Sequence, residues 1–205
     1  MIKVLDHPLV HNDISIIRNK NTNSSHFRDA VKRISYHLAI ESLFNLDTEE
    51  INVETPLEIT KGKKISTKVL VIPILRAGLS LLPAFQEIYP DLIIGYAALK
   101  RNEETFESEE YYYNIPKISK DYKVIILEVM LATGGSINTL LSKLEMDGIT
   151  NITVCSIVSA PEGLEKIGAN FPNVEIITAV IDRELNDKKY ILPGLGDAGD
   201  RINNT

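Results

Sequence analysis

The segment LEVMLATGGSINTLL, residues 127–141, sets a carboxylate at the end of an apolar run, directly before a Gly-rich turn that opens a helical pattern. Backbone N–H groups across Ala132, Thr133, Gly134, Gly135 and Ser136, the two hydroxyls there and the N-terminus of the following helix all suit an anion. No Lys follows the glycines and G-x-G-x-x-G is absent, so a single phosphate fits better than a triphosphate or a dinucleotide. A carboxylate at Glu128 would repel that phosphate unless it met something else, and sugar hydroxyls or a bound divalent cation are its expected partners. The stretch reads as a sugar-phosphate site, although Gly-Gly turns before helices are common in proteins without one.

A second anion-competent turn is ILRAGL, residues 74–79, where Arg76 stands at the break of an apolar run. Arg grips phosphate oxygens in a bidentate fork, and it pairs equally well with a core carboxylate. Two such turns on neighbouring strand ends point to a ligand with phosphates at two separated positions. Arg101 also follows a strand end, the place where open α/β sheets put ligand contacts. The third stretch, YILPGLGDAGDR at 190–201, packs Gly194, Gly196 and Gly199 into one loop, which implies close backbone approach or positive φ. Backbone N–H and C=O groups in such a loop can read a flat heterocycle. Asp197 would order the loop or touch the ligand, and a turn knitted by Asp–backbone hydrogen bonds is the simpler alternative.

Other chemistries find no support in the residue pattern. His7, His11, His26 and His37 all lie in the N-terminal third, away from these turns, where surface or helix-packing roles are expected of them. H-E-x-x-H, paired Cys motifs and G-x-S-x-G are absent, so covalent catalysis has no evident nucleophile. The single Cys155 lies in the apolar run ITVCSIV and reads as a buried hydrophobe.

Positioning these turns requires strands and helices, and the pattern supplies them. Ser24 to Leu46 carries a helical period with Ser24 or Ser25 as cap. KVLVIPIL (68–75) precedes the helix-like LSLLPAFQEIY, then LIIGYAAL (92–99), then YKVIIL (122–127) leading into the opening motif. The last third repeats the rhythm with a helix at 137–147, a strand at 152–160, a short helix in PEGLEKIGANF and a strand at 174–181. Apolar strands alternating with helices predict an α/β fold, a parallel sheet flanked by helices on both faces. Residues 101–116, rich in Glu and Tyr without a helical stripe, predict an extended arm or hairpin at a solvated edge.

With 205 residues, 44% of them hydrophobic, a single domain spanning 1–205 is expected. A net charge of -6 without a Lys/Arg block argues against nucleic acid or an anionic membrane as partner. The N-terminal residues lack the features of a signal peptide and no apolar run reaches the ~18 residues of a membrane span, so the cytoplasm is the expected compartment.

Taken together, HPLVHNDISIIRNKNT, FRDAVKRISYHLAIE, ETPLEIT, VIPILRAGL, RNEET, EYYYNIP, MLATGGS, SAPEG and YILPGLGDAGDR resemble the uracil phosphoribosyltransferases over nearly the whole chain. The resemblance implies a phosphoribosyltransferase type I fold with an arm and a C-terminal hood over the base, here 182–205. It implies transfer from 5-phosphoribosyl 1-diphosphate to uracil, giving UMP and diphosphate, with Mg2+ carried on the diphosphate rather than on protein ligands. By the same resemblance Arg76, Arg101, Glu128, Val129, Met130, Leu131, Ala132, Thr133, Gly134, Gly135, Ser136 and Asp197 bind the phosphoribosyl diphosphate. Ile191, Gly196, Asp197 and Ala198 bind uracil, and Arg76 and Asp197 carry catalysis. GTP enters as an activator to test, and a homodimer or higher homo-oligomer is expected. The chain departs from the family pattern at Glu128-Val129, where Asp-Pro is usual, and at Asn102, where Asp is usual. A degraded pocket acid would fit a rival reading, a non-catalytic regulator that senses phosphoribosyl diphosphate or nucleotide through the same pocket. A purine or orotate enzyme is disfavoured by the 190–201 stretch.

Overall fold

The computed structural model describes residues 1–101 and 108–205, with side chains described for 1–99 and 112–205. The chain begins with strand β1 (Ile2–Val4), helices α1 (Pro8–Arg18) and α2 (Ser24–Ser42), and a hairpin of β2 (Thr48–Glu54) and β3 (Ile59–Ile65). Strand β4 (Val69–Leu75) leads through a 3-10 turn (Ala77–Ser80) into α3 (Leu82–Ile88), then β5 (Ile93–Ile94), β6 (Tyr96–Arg101) and β7 (Ser108–Asn114). Next come β8 (Lys123–Leu131), α4 (Gly135–Met146), β9 (Ile152–Ser159), α5 (Pro161–Asn170) and β10 (Glu175–Ile181). The C-terminal segment holds β11 (Glu184–Leu185), β12 (Ile191–Leu192) and α6 (Ala198–Asn203).

The main sheet runs β1-β10-β9-β8-β4-β6-β7, with β5 pairing β4, and every pairing in it is parallel except β6 with β7. Alternate residues of its central strands face opposite layers, as period-2 side chains must. Val124 and Ile126 join a core beneath α4 and α5 with Leu140, Leu144 and Ile167, whereas Ile125 and Leu127 join a core with Ile17, Phe27, Ile34 and Phe85 of α1, α2 and α3. Burial on both faces explains why these strands read as unbroken apolar runs.

Several predicted bounds move. β8 continues three residues beyond Glu128, through Leu131, so the carboxylate sits inside the last strand turns rather than after them. Val129 and Leu131 have almost no exposed surface, and their burial extends the strand. LIIGYAAL divides at Gly95 into β5 and β6. The edge hairpin begins earlier than the predicted arm, at Tyr96, and pairs Tyr96 with Asn114 through Arg101 with Ser108; its residues 102–107, Asn102 included, lie outside the described residues. Tyr113 of that hairpin packs against the α4 layer, with Lys143 Nζ 4.6 Å from its ring centre. A second hairpin, β2–β3, holds seven residue pairs and is exposed along nearly its whole length; it had no counterpart in the sequence reading.

Candidate active site

The Arg76 turn and the Glu128 strand are brought together by a close backbone approach. A Cβ placed on Gly78 would lie 2.3 Å from the Leu127 carbonyl oxygen, so only glycine lets the 3-10 turn press against β8 at that point. Arg76 caps the 3-10 turn, follows a cis Leu75–Arg76 peptide and remains largely exposed. Its Nη2 lies 3.7 Å from Asp200 Oδ1, a solvent-facing pairing with a helix α6 carboxylate rather than with the core.

Glu128 is half-buried on β8, and burial pushes its carboxyl up to about 7 from the usual 4.5, against the opposing pull of the Val129 and Met130 backbone N–H groups. Val129 N–H donates to Glu128 Oε1 at 2.9 Å. A proline at 129 has no N–H to give, so this contact depends on the Val that stands where the resemblance leads one to expect Pro. The following turn places Gly134 at φ 70 as the N-cap of α4, and Thr133 Oγ1 accepts a long 3.4 Å hydrogen bond from Gly135 N–H. The turn leans on the first turn of α5: a Cβ on Gly163 would meet the Ala132 carbonyl oxygen at 2.3 Å, and Ala160 N–H donates to the Leu131 carbonyl at 2.8 Å.

The C-terminal loop meets this edge from the other side. Gly194 and Gly196 have φ of 62 and 82, as the glycine spacing predicts, and the Leu192–Pro193 peptide is cis. Asp197 is the N-cap of α6, its Oδ1 accepting from Asp200 N–H at 2.9 Å, so the simpler reading of that residue is realised. Its side chain also faces a cavity of about 240 Å³, which is bounded by Glu128, Met130 and Ala132 on one side and by Ile191, Gly196, Asp197 and Ala198 on the other.

That cavity unites residues predicted from two separate stretches. Val129 and Leu131 turn their side chains into the core, which leaves only their backbone to a ligand. Arg76 lies beside the cavity, facing a neighbouring groove with Arg28 and Lys32. β6 ends at Arg101, whose side chain lies outside the described residues. Ala77 and Lys189 line the cavity and went unpredicted, whereas Tyr190 and Gly199, which also line it, fall within the 190–201 stretch without a role of their own in the sequence reading. Lys189 holds φ 62 in the turn before β12, a conformation that marks a side chain for attention once the backbone is seen but leaves no trace in the residue types. Two of the histidines serve the fold: His7 Nδ1 accepts the Leu9 N–H that opens α1, and its ring lies 4.5 Å from that of His37, which is pushed down chiefly by burial. Cys155 is buried, with its thiol pushed up to about 12, as expected of an inert packing residue.

The chain matches the family model described as uracil phosphoribosyltransferase over residues 4–205. A uracil phosphoribosyltransferase of Campylobacter concisus is 42% identical over 204 residues, covering 100% of this chain and 98% of the relative. A solved structure from Aquifex aeolicus superposes with a TM-score of 0.94 at 37% identity, over 98% of this chain and 97% of that one. A hypoxanthine-guanine phosphoribosyltransferase from Bacillus anthracis, 13% identical, shares the fold alone, with a TM-score of 0.53 over 78% of this chain and 80% of that one. The α/β fold is thus that of the type I phosphoribosyltransferases, and the chain belongs to the uracil phosphoribosyltransferase family.

Proposed function

We propose that this protein transfers the 5-phosphoribosyl group of 5-phosphoribosyl 1-diphosphate to N1 of uracil, yielding UMP and diphosphate. The observation that carries the reading is one cavity shared by the Glu128–Ala132 strand end and the Gly196–Asp197–Ala198 loop. A sugar phosphate seated on the Ala132–Ser136 turn would extend its ribose toward Glu128 and its anomeric carbon toward the loop. The loop's backbone groups and Ile191 would then hold a flat pyrimidine against C1.

Without a nucleophile, the reaction runs by positioning and electrostatics. Breaking the C1–diphosphate bond builds positive charge on the ribose and negative charge on the leaving group. Arg76 would neutralise the departing diphosphate, which requires release of Asp200 from its long, exposed pairing. Glu128, ionised above about 7, would accept from the ribose hydroxyls and favour the cationic sugar. Asp197 caps α6 at the end of the loop that would aim the base, and from the cavity wall it would also face the donor.

Among the described residues no group of three or more His, Cys, Asp or Glu side chains is arranged to hold a metal ion. The carboxylates of Glu128 and Asp197, one on each wall of the cavity, are the oxygen donors that would suit Mg2+ arriving on the diphosphate, since that ion commonly takes one or two carboxylates together with substrate phosphates. When bound it would neutralise charge on the leaving group.

The same proposal includes a homo-oligomer, supported by the projecting β2–β3 hairpin with Leu57 and Ile59 exposed, and GTP activation, supported by the family resemblance. A cytoplasmic location is part of the same proposal; among the described residues no helix is long and apolar enough to cross a membrane. The direct test measures UMP formation from labelled uracil and phosphoribosyl diphosphate with Mg2+, for wild type and Glu128→Asp, with and without GTP. Wild-type turnover is the expected result. Ligand binding without turnover under every condition would overturn the catalytic reading in favour of a sensor.

A further inference from the structure

The loop carrying Gly196, Asp197 and Ala198 is held from behind by two arginines that do not line the cavity. Arg18, the last residue of α1, donates from Nη1 to the Gly194 carbonyl at 2.8 Å and to Asp182 Oδ2 at 3.0 Å, and its Nη2 pairs with the other oxygen of Asp182. Asp182, 6% exposed just beyond β10, completes the ring by accepting the Gly194 N–H at 2.9 Å. Both backbone groups of Gly194 are therefore engaged by one ion pair. On the next residue the Leu195 carbonyl accepts Arg201 Nη1 at 2.8 Å. The same guanidinium reaches the Ile17 carbonyl, donates to the Asn19 carbonyl at 2.7 Å, and lies 4.5 Å from the Phe27 ring centre.

This arrangement addresses a physical problem. A segment with glycines at positive φ has more conformations to lose than any other kind of loop, and reading a flat base with backbone groups demands that they be ordered beforehand. Apolar packing secures a loop's position loosely, whereas hydrogen bonds to a specific N–H and a specific C=O fix the peptide planes. A buried ion pair by itself is weak evidence for stability, so its aim at the two backbone groups of Gly194 is the informative feature.

We propose that Arg18 and Asp182 are positioning residues for base recognition, setting Gly194 and hence the height and tilt of the Gly196–Ala198 backbone against uracil. The proposal rests on the reading of that loop as the uracil site. Arg18→Lys tests it, because Lys keeps the charge opposite Asp182 but lacks the fork that also reaches the Gly194 carbonyl. The expected result is a rise of about tenfold in KM for uracil, with KM for phosphoribosyl diphosphate within about twofold and the melting temperature nearly unchanged. Asp182→Asn, which retains an acceptor for Gly194 N–H but not the charge, should give the same uracil-selective rise and serves if the lysine variant does not fold. An unchanged uracil KM in a folded variant, or both KM values rising together, would overturn the positioning role. Ala198→Val, which narrows the cavity directly, separates the two readings. If it raises the uracil KM and Arg18→Lys does not, the positioning role alone falls; if neither variant moves it, the base-site reading falls and takes the proposal with it.

Discussion

The two walls of the cavity are built by different physics. The wall formed by β8 and the turn into α4 belongs to the main sheet, and packing sets its position: Gly78 against the Leu127 carbonyl, Gly163 against the Ala132 carbonyl, Val129 and Leu131 in the core. The wall formed by residues 191–199 is an excursion beyond β10, tied down by Arg18, Asp182 and Arg201 across polar bridges. The first wall cannot shift without disturbing the core. The second also seats Ile191, Leu195 and Ala198 in the core shared with α1 and α2, but its glycines at positive φ leave the peptide planes to be set by those bridges.

Arg76 gives the largest expected effect, because in the proposed mechanism it meets the departing diphosphate, and its side chain is largely exposed. Arg76→Ala should lower kcat/KM by about 10²–10³-fold, the usual result of removing one electrostatic contact to developing charge, with the melting temperature close to wild type. Turnover near wild type in the folded variant would remove Arg76 from the chemistry. Gly163→Ala probes the packed wall. Its methyl would meet the Ala132 carbonyl oxygen and a Leu131 methyl, both at 2.3 Å, so the phosphate turn must give way. A destabilisation of about 1–3 kcal/mol by urea unfolding is expected, with KM for phosphoribosyl diphosphate raised more than KM for uracil. A selective uracil effect instead would erase the contrast between the walls.

The packed wall was the legible one. Strands buried on both faces show as continuous apolar runs, and a Gly-rich turn between such a run and a helical pattern is marked by local residue types alone, so β4, β8, β9 and β10 and the Ala132–Ser136 turn could be placed. Helix α1 carries its own period in Val10, Ile14 and Ile17, with Pro8 in the first turn and the less common cap His7, yet went unread. Hairpin β2–β3 has neither face buried, and its turn is ordered by Thr55 Oγ1 accepting from Leu57 and Glu58 N–H, not by an Asn-Gly signal. The polar wall was legible only as a glycine cluster. Arg18 and Asp182 stand 164 positions apart, and no local pattern joins them. Lys189 lines the cavity from a positive-φ position that its residue type does not announce.

Glu128 stands on the packed wall of the cavity, and its titration yields the smallest and most diagnostic effect. Because burial lifts its folded value to about 7 above the usual 4.5, the native chain holds a proton there that the unfolded chain has already released between those values. Stability from this group is therefore fully present below about 4.5 and is lost as pH rises through about 7. The difference of about 2.5 between the two values sets an upper limit of about 3 kcal/mol on the loss, and partial exposure lowers it. Glu128→Gln stays neutral throughout, so it should gain on wild type as pH rises from 5 to 8, read as a widening gap between urea midpoints. The same substitution should weaken phosphoribosyl diphosphate binding most above pH 7, where wild type offers the ribose a carboxylate. Parallel midpoints at the two pH values would mean that Glu128 is ionised throughout, held so by the Val129 N–H, and that the acid on this wall is poised for the sugar without cost to the fold.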